Sequence, residues 1–217
     1  MNRQRGFTLI ELMVAIFVMA MLALMSWRGI DGMARAQEHN RVRGDAVLTL
    51  QTTLSQWTAD LDAMTKLSGT STIDWDGRLL RITRRGSDEL RPVVYVVAWT
   101  LRTGANGSHW SRWQSAPLTR RDEWQAAWSD AAAWSQGDMA QSATRGVDVS
   151  LMPVDSWQIY YFRNDMWSPA VGADAFTGAN ALPDGVRLVL NLPPGPALTG
   201  LLSRDWVRPS SSIQKPS

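Results

Sequence analysis

Gly6-Phe7-Thr8-Leu9-Ile10-Glu11-Leu12 opens an apolar run that reaches Met25, and two arginines, Arg3 and Arg5, precede it. The run carries one carboxylate, Glu11, at a depth where a membrane segment should hold none. An ionised group at mid-bilayer costs roughly 2.5–3.5 kcal/mol on insertion scales. A segment this apolar that keeps the charge therefore implies a partner for it. Phe7 to Met25 is nineteen residues, enough to span a bilayer with little tilt. The competing reading is an ordinary signal peptide or anchor with a stray glutamate. Against it, the run begins only six residues in, and Glu11 stands five positions from a Gly–Phe junction. Ala34-Arg35-Ala36 fits a small-x-small cleavage site, but it lies well beyond the run among Arg28, Asp31 and Arg35, too far and too charged for secretory processing.

Length and charge bound the remainder. A chain of 217 residues suits one domain plus an extended element. It has no cysteine, which removes disulfide and thiolate chemistry without deciding the compartment. The formal charge is +2 although the pI is 9.4, because all the basic residues except Lys66 and Lys215 are arginine. Losing residues 1–6 would remove Arg3 and Arg5 and bring the formal charge to zero. The totals therefore imply no basic surface, and no nucleic acid is expected as a partner.

The helical pattern continues beyond the apolar run. Gly29 and Gly32 weaken it by roughly 1 kcal/mol each relative to alanine and mark a bend or melted turn. Val47, Leu50, Leu54, Trp57, Leu61 and Met64 then recur at alternating spacings of three and four, an apolar stripe at helical period. Fewer than four heptads is short for a coiled coil, so a helix packed on its own globular domain is expected. The helix is read as residues 7–67, with the membrane part at about 7–25, a length of about 90 Å at 1.5 Å per residue. Breakers at Ser68-Gly69-Thr70-Ser71 end it.

From residue 68 to 208 the pattern is that of strands and turns. Thr72–Trp75 and Leu79–Arg84 flank Asp76-Gly77, a hairpin signal. Val93–Arg102 and Trp110–Gln114 flank Thr103–Gly107 and read as a second hairpin. Arg121–Ser135 places Trp124, Trp128 and Ala131 at i, i+4 and i+7, a short helix. Val147–Met152, Trp157–Arg163, Val186–Leu192 and Leu198–Val207 read as strands, with a turn at Asn164-Asp165 and a long loop at Ala170–Pro183. Residues 209–217 are polar, contain proline and read as a disordered tail. The fold class is therefore α+β: a long N-terminal helix packed on an antiparallel β domain.

Gly6-Phe7-Thr8-Leu9-Ile10-Glu11 resembles the type IV prepilin leader. That resemblance implies that the α+β order is the pilin-like fold, with a leader peptide of residues 1–6, cleavage by prepilin peptidase between Gly6 and Phe7, and N-methylation of Phe7. It also implies that Glu11 pairs with the N-terminal amine of an adjoining subunit. Two charges too costly to bury singly become tolerable as a hydrogen-bonded pair. Trp157-Gln158-Ile159-Tyr160-Tyr161-Phe162, then Trp167, then Leu182-Pro183-Asp184-Gly185-Val186-Arg187-Leu188 are similar to the minor pseudopilin J family of type II secretion systems. Asp60-Leu61 and Leu101-Arg102 are similar more weakly. The alanine- and tryptophan-rich stretch Trp124–Trp134 has no counterpart in that pattern.

The J resemblance implies a structural subunit of a short filament that supports export of folded proteins across the outer membrane. Its partners would be minor pseudopilins of types I and K, the major pseudopilin and prepilin peptidase. Its place would be the inner membrane, single-pass, with the globular domain in the periplasm, as basic leader residues favour. The alternative is a minor type IV pilin of a pilus or DNA-uptake apparatus.

Little else suggests chemistry. His39 and His109 lack metal-ligand company. Asp60-x-Asp62 and Asp74-x-Asp76 are spaced like calcium-loop fragments without the distal glutamate, so solvated charges are expected and calcium is a minor alternative to no cofactor. No G-x-S-x-G elbow and no phosphate-binding glycine loop appear, and no enzyme activity is expected. Trp110-Ser111-Arg112-Trp113 interleaves arginine with aromatics as single-strand stacking platforms do. Tryptophans filling cores and interfaces are the commoner case.

Overall fold

Leu9 begins a single α-helix, α1 (Leu9–Asp62), in the computed structural model, which describes residues 8–86, 93–104, 107–137, 146–170, 182–196 and 198–209. The chain divides into two units, residues 1–46 and 47–217. In the first, α1 is exposed at every position from Leu9 to Asp45. It is long and apolar enough at its start to cross a membrane. The expected break at Gly29 and Gly32 is absent, since the helix runs through both. Ion pairs one turn apart support it there: Arg35 with Asp31 at 2.9 Å, and Arg41 with Glu38 and Asp45 at 2.7 and 3.3 Å. Each such pair contributes a few tenths of a kcal/mol, about 0.2–0.5, which together offset part of the glycine cost.

The second unit is built on the apolar stripe. Leu50, Trp57 and Leu61 are buried, and Leu54 and Met64 half-buried. Among the described residues nine strands follow: β1 (Ile73–Trp75), β2 (Leu79–Arg85), β3 (Val94–Gly104), β4 (Gly107–Ser115), β5 (Gly146–Pro153), β6 (Ser156–Arg163), β7 (Met166–Pro169), β8 (Gly185–Leu192) and β9 (Gly200–Val207). A second helix, α2 (Arg121–Ser135), lies between β4 and β5. The strands form two antiparallel sheets, β1-β2-β3-β4-β5 and β7-β6-β8-β9.

Strand alternation divides the first sheet between two cores. Leu80, Ile82, Val97, Trp99 and Trp110 point to the side of α1 and meet Ile159, Tyr161, Val186, Leu188 and Trp206 of the second sheet. Leu79, Val96, Ala98 and Trp113 point the other way and are covered by Trp124, Ala127, Ala131 and Trp134 of α2. The stretch with no counterpart in the family pattern is thus the layer that closes the outer face of the first sheet. One buried hydrogen bond pins it: Trp124 Nε1 donates to Thr83 Oγ1 at 2.9 Å.

The end of the first helix and one short strand differ from the sequence reading. The helix ends at Asp62, not Leu67. Thr65 N donates to Thr83 O and Arg85 N to Ala63 O, so the edge of β2 captures the chain before the breakers are reached. The strand β7 was not expected; Asn164 and Asp165, at φ of 51° and 60°, form a two-residue turn of the positive-φ kind that twisted hairpins favour. Within the long loop and the tail, residues 171–181 and 210–217 lie outside the described residues.

Candidate functional site

Gly6 and Phe7, the expected processing site, lie outside the described residues. Glu11 is described, and it makes a feature the sequence reading missed. Thr8 N and Thr8 Oγ1 both donate to Glu11 Oε2, at 2.9 and 2.8 Å, while Glu11 N donates back to Thr8 Oγ1 at 3.4 Å. This is a capping box, with Thr8 before the first helical residue and Glu11 one turn in. The signal stood in the sequence as Thr-x-x-Glu. Both of the bonds from Thr8 fall on Oε2.

The second feature lies where α1 meets the first sheet. Asp60 is fully buried. Arg112 Nε and Nη2 grip its two oxygens at 2.7 and 2.9 Å, and Arg84 Nη1 donates to Oδ1. Trp99 Nε1 and Gln56 Nε2 add bonds at 2.9 and 3.0 Å. Alternation in β2, β3 and β4 aims Arg84, Trp99 and Arg112 at the helix, because each shares a face with core residues two positions away. Asp60 follows Trp57 by three and precedes Met64 by four, which places it inside the apolar stripe. Its expected role as a solvated charge is therefore wrong, and a buried charge needs partners of this kind.

The other aspartates of the calcium-like spacings are also engaged. Asp62 Oδ1 accepts from Trp206 Nε1 at 2.7 Å. Arg81 Nη2 donates to Asp74 Oδ2 at 2.5 Å, and Arg81 lies over the Trp128 ring at 4.8 Å. Asp76 Oδ1 accepts from the backbone N–H groups of Arg78 and Leu79 and closes the β1–β2 turn. No group of three or more His, Cys, Asp or Glu side chains is placed to hold a metal among the described residues. His39 is exposed on α1, and the His109 ring sits 3.4 Å from Gly107 O.

The tryptophans are overwhelmingly interior. Trp57 packs against Trp99, Trp110 and Trp157 with ring centroids 5.3–6.4 Å apart. Trp110 and Trp113 have 0% and 1% of their surface exposed, and Arg112 between them is bound to Asp60. This segment presents no rings on which bases could stack.

Comparisons with known proteins agree with this geometry. Residues 1–27 match the model of the prokaryotic N-terminal methylation motif. In fold, the chain is similar to the crystal structure of the GspK-GspI-GspJ complex of the enterotoxigenic Escherichia coli type 2 secretion system. The TM-score is 0.51 at 16% identity, covering 76% of this chain and 99% of that one. These findings define the class: a pilin-like α+β protein with a methylation-type N-terminus. Over nearly its whole length the chain is also 25% identical to the type II secretion system protein J of Escherichia coli, with 95% of this chain and 98% of that protein aligned. Within the class, then, the chain is similar to protein J of type II secretion.

Proposed function

We propose that this chain is a minor pseudopilin of a type II secretion system, a structural subunit that works at the tip of a short periplasmic filament. The full-length similarity to protein J carries the reading, and the methylation motif supports it. In this account prepilin peptidase cuts between Gly6 and Phe7, and Phe7 becomes the N-methylated first residue. The segment to about Met25 stays in the inner membrane, and the rest lies in the periplasm. Glu11 Oε2 caps its own helix, while Oε1 accepts from the N-terminal amine of a neighbouring subunit. The uncovered stretch Leu9–Asp45 finds its partners outside the chain: lipid for the apolar part, other subunits beyond it. Pseudopilins of types I and K are the expected companions, since the similar structure is a complex of that composition. The role needs no cofactor.

Deleting the gene tests this reading. Exported proteins should accumulate in the periplasm and return to the medium when the gene is restored. Normal export with lost piliation or lost DNA uptake would instead identify a minor type IV pilin.

A further inference from the structure

Of the twelve tryptophans, eleven are buried or half-buried in the second unit; the other is Trp27, on α1, with 73% of its surface exposed. It stands where the helix changes character. No charged residue lies between Glu11 and Arg28, and Ser26 is the first polar residue after Glu11. Beyond Arg28 the charges come in pairs: Asp31 is bound to Arg35 at 2.9 Å and Glu38 to Arg41 at 2.7 Å, whereas Arg28 has no acidic partner among the described residues. Because α1 runs unbroken through this region, its rise fixes the distances. Leu9 to Trp27 is about 27 Å at 1.5 Å per residue, close to a hydrocarbon core of roughly 30 Å. Trp27 and Arg28 therefore stand side by side, about 100° apart round the helix, at the height where the apolar run meets water.

We infer that Trp27 and Arg28 form a headgroup clamp for anionic phospholipid at the outer face of the membrane that α1 crosses. An indole has an apolar body and a polar N–H edge, which suits the boundary between acyl chains and headgroups. A guanidinium matches two phosphate oxygens at once, and its stem lies along the apolar side of that boundary. A zwitterionic headgroup brings its own ammonium to its phosphate; an anionic one leaves the charge to Arg28, so the clamp selects anionic lipid. The spacing argues for lipid over a protein partner. A run of one bilayer's thickness that ends in an exposed indole and an unpaired cation is what a leaflet boundary matches. The inference rests on the membrane placement proposed above and adds to it the residues that fix the depth of the anchor and the lipid they take.

The full-length chain reconstituted in vesicles of phosphatidylcholine and phosphatidylglycerol provides the test. Flotation comes first, since a chain that does not float with the vesicles refutes the membrane placement itself. In floated protein, the emission that Trp27→Phe removes should be quenched more strongly by lipids brominated near the headgroup than by lipids brominated near the chain ends. Trp27 emission that neither lipid quenches would show that protein covers the ring, and equal or stronger quenching by the deep bromines would put it at the wrong depth; either result overturns the clamp. Native mass spectrometry of the chain from micelles doped equally with the two lipids reads the charge. Phosphatidylglycerol adducts should be favoured about fivefold, the effect of one basic residue near an anionic surface, and Arg28→Gln should abolish the preference. No preference in the wild type, or one that survives in Arg28→Gln, would overturn the assignment of anionic lipid to Arg28.

Discussion

Replacing Asp60 with asparagine keeps the shape of the side chain and removes its charge. In the wild type that carboxylate receives five hydrogen bonds, three of them from Arg84 and Arg112. The variant leaves two guanidinium groups facing a neutral amide that can accept at only one oxygen. Removing one partner of a buried ion pair costs about 3–5 kcal/mol. Here the lower end applies, because the arginines keep 19% and 13% side-chain exposure and can turn partly toward water. About 3 kcal/mol is a large share of the roughly 5–15 kcal/mol that holds a typical domain together. At about 2–4 °C per kcal/mol for a domain of this size, Tm should fall by roughly 6–12 °C. Urea unfolding of the full chain in non-ionic detergent, followed by tryptophan fluorescence, should show a lower midpoint with an unchanged slope. Combining Asp60→Asn with Arg112→Gln should cost clearly less than the sum of the two singles, since both remove the same bonds. A loss below about 1 kcal/mol, or additivity within about 0.5 kcal/mol, would refute the claim that this carboxylate anchors the helix segment.

Gly146 offers a steric test: a Cβ there would stand 2.3 Å from the Trp113 ring, so Gly146→Ala should cost at least about 1–3 kcal/mol, and an unchanged urea midpoint would contradict the packing described. Glu123 offers a pH test, because the backbone N–H groups of Thr119 and Arg120, with Arg120 itself, hold its carboxyl below the usual glutamate range. A depressed pKa stabilises the fold fully above the unfolded value, about 4.3, and that stabilisation is lost as pH falls through the folded value. Wild type and Glu123→Gln should therefore converge in stability toward low pH, and a constant gap would contradict the cap. Glu11→Gln keeps one oxygen for Thr8 but loses the charge, so processing should continue while co-purification with I-type and K-type pseudopilins declines. Undiminished co-purification would refute the pairing with a neighbour's amine.

Most of the architecture could be read from the chain because local pattern and tertiary packing agree. The part of the stripe from Leu50 to Leu61 is the face that α1 buries, and Trp124, Trp128 and Ala131 mark α2 at the bounds observed. Sequence fell short where tertiary contacts outweigh local preference. The end of α1 is set by backbone bonds to β2 that no local signal announces. Glycines at 29 and 32 do not interrupt the helix, since their cost is small beside the propensity of their neighbours. Strand β7 is four residues long, too short for a period to register. Asp60 was misread because its charge was weighed ahead of its place in the stripe. Trp110 and Trp113, three apart on one strand, face opposite ways by alternation alone, but which core each enters required the second sheet and α2.

Everything assigned to the first helix depends on one covalent event, the cut between Gly6 and Phe7. Intact-mass and N-terminal fragment mass spectrometry of the protein extracted from its native membrane tests it most directly. N-methylated Phe7 should be the first residue, with residues 1–6 absent. An intact Met1, or a new N-terminus after Ala36, would contradict the pilin-like reading at its root.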